Sequence, residues 1–547
     1  MNKPLLISLA AATLICSQLS ADTMYDRFQT MELEIDNLKA ELRTLQQEQS
    51  KIQETTSTSS EDEEEDDEDE DEEEEKTQLS SSDDKDTEDL TEDSDEDSDE
   101  EEIDINEALE EIEETLGDLN RATSGNHLKL GVDYRFAIDN LQYKMVDGSK
   151  ESNDAFMTSR FWLNMDWAAT ENLSFTGQMA YNKAFGARSG ANMMNGPYET
   201  FDWVANENAY NDTIRIRSAY FLYRNNTFFG TQVPWTFSIG RRPSTNGHLI
   251  NLRDDDKAAS PMGHSINVEF DGLSSKFSFD DWVDGMYVKF CAGRGMSNAA
   301  PKFNTAPYAE NDTVNPDIDL IGLIFTAYDN GQYGIFTQYY YANNLIDATD
   351  PTNPMAGFDT VGGMHSFTAS FRANGIGNEI NDYLDDSTFF LSTAMNKTDP
   401  DSDKRMLYSA MDADGPTKAG ESKTGYSIWA GLQMPSFMTD DGRWGLEYNY
   451  GSQYWRSITY AEDTNIGSKL AARGSAYEAY FTEYLVEDIL SLQVRYTYID
   501  YEYSGSNGFF GGTTGASMSM DDVKAFGMGS QVVDTAQDIR FYLRYKY

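Results

Sequence analysis

The chain has 547 residues, a formal net charge of −55, four His, two Cys, 40 Gly, 8 Trp, 32 Tyr and 29 Phe. No apolar run approaches the roughly 18 residues of a spanning helix, which excludes a bundle of membrane helices. Two Cys exclude a disulfide scaffold, and zinc and iron–sulfur spacings are missing. So acidic a chain would also repel the phosphates of a nucleic acid.

Met1 to Ala21 reads as a secretory signal peptide, with Lys3, an apolar stretch from Leu5 to Ile15 and a small residue at the cleavage point. Residues 22–54 carry a heptad seam: Met24, Phe28, Met31, Ile35, Leu38, Leu42, Leu45, Gln49 and Ile52 alternate at spacings of four and three. That spacing predicts a self-associating coiled coil. Residues 55–102 form an acidic linker. From Glu61 to Glu102 there are 29 Asp and Glu against Lys76 and Lys85, a balance of −27. Such a run cannot bury apolar surface and is expected to be disordered. A second helical seam over 103–124 contains Ile105, Leu109, Ile112, Leu116 and Leu119.

From residue 125 to 547 the pattern changes to period two. Leu128, Leu130, Val132, Tyr134, Phe136 and Ile138 alternate with Lys129, Gly131, Asp133, Arg135 and Ala137. The alternation recurs at Phe161–Trp167, Leu173–Tyr181, Tyr426–Leu432, Trp444–Tyr450, Leu490–Tyr498 and Ile539–Tyr547. Short turns at 169–172, 225–227, 329–332 and 486–488 alternate with long polar stretches. The stretches lie near 139–155, 183–212, 241–264, 294–316, 342–363, 397–423, 452–474 and 502–536. Eight long loops predict an all-β transmembrane barrel of about sixteen antiparallel strands, with fourteen or eighteen left open by weak patterning near 266–292 and 364–396. A soluble β-sandwich is the competing fold, and it seldom needs Tyr and Trp so densely at strand ends.

The closing residues Ile539, Phe541, Leu543, Tyr545 and Tyr547 resemble the closing-strand signal of Gram-negative outer-membrane proteins. Together with the leader and the heptads they make the chain similar to trimeric porins. It most resembles an uncharacterised family of porin-like outer-membrane proteins with a periplasmic helical segment. The resemblance implies an outer-membrane location, recognition by the barrel-assembly machinery, a homotrimer, and contact with outer-membrane lipid and lipopolysaccharide.

A barrel of this size is too wide for its wall residues to fill and leaves an aqueous channel. Passive diffusion of small hydrophilic solutes is the expected function. The non-apolar strand face carries Arg135, Arg160, Arg215, Arg217, Arg242, Arg372, Arg495, Arg540 and Arg544, with Lys129, Lys289, Arg443 and Lys546. Acidic residues there are fewer: Asp133, Asp166, Glu269, Asp319, Glu447, Glu478 and Asp538. The wall leans basic, and a preference for anions follows. The third long loop is the expected constriction, since that loop folds inward in the general porins it resembles. Asp254, Asp255 and Asp256 would then face Arg215, Arg217 and Arg242 across the eyelet.

Other chemistry finds little support. His264-Ser265 suggests a hydrolase, but spacing places no third member, so no enzyme is expected. The Asp93 and Asp399 clusters lack the glycine and distal Glu of a calcium loop. Neither a cofactor nor a dedicated metal site is expected, only weak nonspecific Ca2+ or Mg2+ binding by acidic clusters. Two alternatives stand beside the channel: an outer-membrane anchor whose periplasmic stalk contacts the cell wall, and a surface adhesin.

Overall fold

The computed structural model describes residues 128–185, 214–296, 300–302, 305–309, 317–348, 358–377, 380–410, 415–459, 462, 464–505 and 516–547. All lie in the second of two compact units, which begins at Glu102. The leader, the coiled-coil seam with Phe28, Met31, Ile35, Leu38, Leu42, Leu45 and Ile52, the acidic linker and the second seam lie outside the described residues.

Sixteen strands form the wall. They are β1 (Leu128–Met145), β2 (Lys150–Ala168), β3 (Leu173–Ala184), β4 (Arg215–Asn225), β5 (Trp235–Ser244) and β6 (Ile266–Ser278). There follow β7 (Tyr287–Met296), β8 (Ile318–Asp329), β9 (Tyr333–Ala348), β10 (Phe358–Asn374) and β11 (Thr388–Pro400). The rest are β12 (Thr424–Pro435), β13 (Arg443–Gly451), β14 (Gly474–Val486), β15 (Leu490–Tyr501) and β16 (Val533–Lys546). Each pairs antiparallel with its sequence neighbours. β1 also pairs with β16, from Asp133 opposite Lys546 to Met145 opposite Val533, and this closes the sheet. A closed antiparallel sheet leaves no row of unpaired backbone groups, the condition for crossing hydrocarbon with strands. Among the described residues, no helix is long and apolar enough to cross a membrane.

Connections at one end are 169–172, 226–234, 279–286, 330–332, 375–387, 436–442 and 487–489, none longer than a compact loop. Those at the other end are longer, with two exceptions, 146–149 and 349–357. The first long stretch, expected at 139–155, is a four-residue hairpin between β1 and β2. Polar residues such as Gln142, Lys144 and Glu151 continue the two strands beyond the apolar band. The turn expected at 225–227 is in turn the first part of a nine-residue link, 226–234.

Alternation decides the faces. Leu128, Leu130, Trp167, Phe175, Ile321, Leu323, Ile428, Leu446 and Val494 are exposed on the outside. Away from the rims the residues between them, such as Ile324, Trp429, Glu447 and Arg495, are buried toward the lumen. The closing strand follows suit: Ile539, Phe541, Tyr545 and Tyr547 are exposed, Leu543 is half-buried, and Asp538, Arg540, Tyr542 and Arg544 are buried inside. Two aromatic belts flank the apolar band. At the short-connection end Phe228 packs on Trp235 and Phe277, and Trp444 lies between Phe437 and Phe481. At the long-loop end Tyr426 meets Tyr450, and Tyr477 meets Tyr448 and Tyr498. Amphipathic rings at both rims are what two membrane–water interfaces favour.

One wall residue reads differently in three dimensions. Asp319 was expected on the lumen face, but in β8 Ile318, Leu320 and Ile324 are buried inside while Ile321 and Leu323 point outward. Asp319 shares the outer face and pairs with Arg294 at 2.7 Å.

Candidate functional site in the barrel lumen

The third long loop, 245–265, does enter the lumen. It contains a short helix α1 (Ile250–Asp254), and Leu249 and Ile250 pack against Phe390, Trp429 and Leu470. Of its acidic tip, Asp256 lines the same cavity as Arg217 and Arg242, as the sequence suggests, while Arg215, Asp254 and Asp255 do not line it and the ion pairs of the tip are made elsewhere. The tip is held by the opposite wall. Arg544 and Lys546 reach Asp256 at 3.0 and 2.7 Å, and Arg443 reaches Asp255 at 3.1 Å. Tyr484 donates to Asp255, and Arg544 donates to the Asp254 carbonyl at 2.8 Å. Burial opposes the charge on Asp254, but the guanidiniums of Arg253, Arg495 and Arg544 outweigh it and hold the carboxyl at about 2. Asp254, Asp255 and Asp256 thus pin the loop to the wall, and of the three Asp256 alone also lines the cavity that Arg217 and Arg242 line.

Two further loops occupy the long-loop end of the lumen, where an open channel was expected. In 452–473, Ile458 and Thr459 pair in parallel with Ile266 and Asn267 at the start of β6. Trp455 is fully buried and donates to the Leu470 carbonyl at 2.7 Å. Met406 and Leu407, from the 401–423 connection, join Ile458, Ile318, Leu320, Tyr340 and Met364 in one apolar cluster. On the wall, Gly431 and Gly445 leave room for the rings of Phe390 and Tyr480; a Cβ at Gly445 would lie 1.9 Å from Tyr480. The interior is therefore packed at that end, and the wide-barrel expectation is corrected there. Loop apolar residues replace water because each buries surface worth about 1.5–3 kcal/mol.

The predicted arginines all occupy the inner face. Arg160 pairs with Asp133 at 3.2 Å and lies 3.5 Å over the Trp162 ring. Arg540 meets Asp139, and Arg544 meets Asp133, both at 2.6 Å. Arg495 approaches Glu478 at 3.9 Å, and Arg135 lies over Tyr542. Arg372 binds Asp329 at 2.9 Å. A bulge at Arg217 of β4, opposite Gln178 and Met179 of β3, lets both Arg217 and Ser218 turn inward. Arg217 then reaches Glu269 at 2.7 Å and Gln178 at 2.9 Å, and Arg215 is half-buried beyond it. Sequence alone missed Arg253 and Lys469, which sit on the inserted loops. Arg253 binds Glu478 at 3.2 Å, and Lys469 binds Glu447 at 2.6 Å and Glu478.

At the short-connection end the lumen keeps a cavity of about 710 Å3. Its lining includes Arg217, Arg242, Lys257, Lys276, Lys289, Arg372, Arg544 and Lys546 against Asp133, Asp166, Asp256 and Asp329. Three of those four acids are paired: Asp133 with Arg160 and Arg544, Asp256 with Arg544 and Lys546, and Asp329 with Arg372. Positive charge is therefore in excess. Its chemistry is that of a polar chamber attractive to anions.

His264 and Ser265 do not form a nucleophile–base pair. His264 lies between the hydroxyls of Ser392 and Ser427 at 2.8 and 2.9 Å, while Ser265 bonds Thr368 at 2.6 Å. Both are fully buried, and burial depresses the His264 imidazole to about 3, as it does His248. Cys291 is likewise a buried packing residue of the lumen wall.

A family model described as protein of unknown function, DUF3373, matches residues 150–547. No curated protein matches the chain. Among solved structures, Salmonella typhi OmpF in complex with daunomycin is 12% identical, covers 77% of this chain and 99% of its own, and has a TM-score of 0.41. Pseudomonas putida OprB at high pH is 12% identical over 79% of this chain and 97% of its own, with a TM-score of 0.42. The anion-selective porin from Comamonas acidovorans is 10% identical over 77% and 99%, with a TM-score of 0.41.

Proposed function

The chain belongs to the DUF3373 family, and we propose that it is a porin-like channel of the bacterial outer membrane, passing small hydrophilic solutes by diffusion and favouring anions. The observation that carries this reading is the chamber at the short-connection end. It lies inside a closed barrel with an apolar outer face, and its lining is rich in cations. A charged lumen sets ion preference because field lines concentrate between low-dielectric walls. In this reading the barrel associates as a homotrimer. It sits among lipid and lipopolysaccharide and is closed by the assembly machinery acting on Ile539–Tyr547. The N-terminal extension is periplasmic, since β1 starts from the end that bears the short connections. Acidic loop clusters bind divalent cations only weakly.

The test is single-channel conductance of the purified protein in a planar bilayer under a KCl gradient. Stable steps with a reversal potential on the chloride side are expected. A folded, inserted protein that never conducts would sink the channel. One observation favours a second reading, a barrel that anchors a cell-wall tether: the packing of Trp455, Leu470 and Met406 inside the long-loop end. Deleting residues 22–124 separates the two. Loss of envelope integrity with uptake retained is expected of the tether.

A further inference from the structure

On the β5–β7 side of the chamber, three cations stand together without a counter-ion. Lys276 of β6 and Lys289 of β7 are directly opposite in the strand register, both toward the lumen. Like charges in that relation repel and destabilise a sheet. Neither has a carboxylate in direct contact, and Asp280 acts on Lys276 only from beyond ion-pair distance. Lys289 Nζ donates to the Ser260 hydroxyl at 2.6 Å, and Lys276 Nζ lies 4.2 Å over the Tyr287 ring. Arg242 donates to the hydroxyls of Ser238 and Ser274 and lies 4.9 Å over Tyr220. Among the described residues, none of the three has a carboxylate within salt-bridge distance. The same cavity is lined by His248, whose buried Nε2 has no hydrogen-bond partner.

Arg160, Arg217, Arg253, Lys469, Arg540 and Arg544 in the lumen each have an acid against them, and this cluster differs from them. A row of hydroxyls, ring faces and three positive heads suits a small, multiply charged oxyanion. Such an anion accepts several charge-assisted hydrogen bonds at once and relieves the Lys276–Lys289 repulsion. We propose that Arg242, Lys276 and Lys289 form a binding subsite for a tetrahedral oxyanion of the size of phosphate or sulfate, occupied in transit through the lumen. The subsite rests on the channel reading above.

The experiment uses the full chain folded in detergent, titrated with sodium phosphate in a calorimeter, and the same preparation in a planar bilayer with phosphate added to KCl. Saturable phosphate binding is expected, with phosphate reducing the chloride current as it occupies the site. Lys276→Gln and Lys289→Gln should each weaken binding about tenfold, the worth of one charge-assisted contact. Arg294→Gln, the same charge change on the outer face, should leave it unchanged. Folding of each variant is checked by its heat-modifiable gel mobility. Should a Gln variant fail to fold, the native protein still decides, because acetate must then bind more weakly than phosphate and sulfate. A protein that conducts chloride but binds no phosphate overturns the subsite and leaves the channel standing. Binding in a protein that never conducts keeps the subsite and removes the channel. Equal weakening by Arg294→Gln overturns the subsite as a nonspecific charge effect.

Discussion

On the wall from β13 through β16 to β1, buried cations such as Arg540 and Arg544, and the loop cations against them, meet carboxylates or backbone carbonyls. Arg253 and Lys469 meet on Glu478, Arg540 binds Asp139, and Arg544 spans Asp133 and Asp256. On the wall from β5 to β7, Arg242, Lys276 and Lys289 meet hydroxyls and ring faces. The contrast follows from water. Where loops 245–265 and 452–473 exclude solvent, an uncompensated charge would cost several kcal/mol, so acids must accompany the cations. In the chamber Arg217, Arg372 and Arg544 are paired, and Arg242, Lys276 and Lys289 remain unmatched and open to the cavity. Arginine and lysine on an inner face therefore do not have one meaning. Loop cover and the acids within reach together decide whether they are structural or accessible.

The largest effect expected from breaking this contrast is at Glu478. It accepts from Arg253 at 3.2 Å, from Thr497 at 2.9 Å and from Lys469. Glu478→Gln takes one carboxylate from each of two buried cations, Lys469 keeping Glu447 and Arg253 keeping Asp254, and should cost about 3 kcal/mol, read as a lower urea unfolding midpoint. Lys276→Gln should leave that midpoint in place. If the two cost the same, the walls do not differ.

Acid should loosen the inserted loop next. His248 and His264 are buried with pKa values depressed to about 3, far below the ordinary imidazole. A depressed folded value means that stability is full above the unfolded pKa of about 6.5 and declines as pH falls through the window toward 3. Between pH 7.5 and 4.5 each should cost on the order of 2 kcal/mol, checked by unfolding at the two pH values. His264→Gln should flatten part of that dependence.

Asp256→Asn tests the latch. Removing the charge that Arg544 and Lys546 hold should cost about 1 kcal/mol. It should also raise single-channel conductance as the loop tip gains freedom. Unchanged conductance would mean that the tip does not narrow the path. The smallest effect belongs to Arg443, whose pair with Asp255 is nearly half exposed on both sides. Arg443→Gln should change stability by less than about 0.5 kcal/mol, because solvent screens such a pair.

Strand number, the faces of β1, β16 and most other strands, and the inward third loop were legible because alternation and loop length report them directly. Asp319 was misplaced because β8 is apolar on both faces, which removes the alternation that assigns a side. The packed end was invisible for a different reason. Met406, Leu407, Trp455, Ile458 and Leu470 lie in short apolar patches within polar stretches and follow no period, so nothing local marks them as buried. The facing of Lys276 and Lys289 depends on inter-strand register, which short-range pattern does not specify.

The seam between β1 and β16 carries one more consequence. Val132 and Tyr547 exchange backbone hydrogen bonds at 2.6 and 2.8 Å, so a residue near the start of the barrel is sealed by the last residue of the chain. Until Tyr547 is delivered, the wall is an open sheet with two edges, each able to pair with a stranger. Closure therefore waits for β16, the partner of β1 that lies farthest from it along the chain. Hairpins between sequence neighbours can form early, but the seam can be the work of no local pairing.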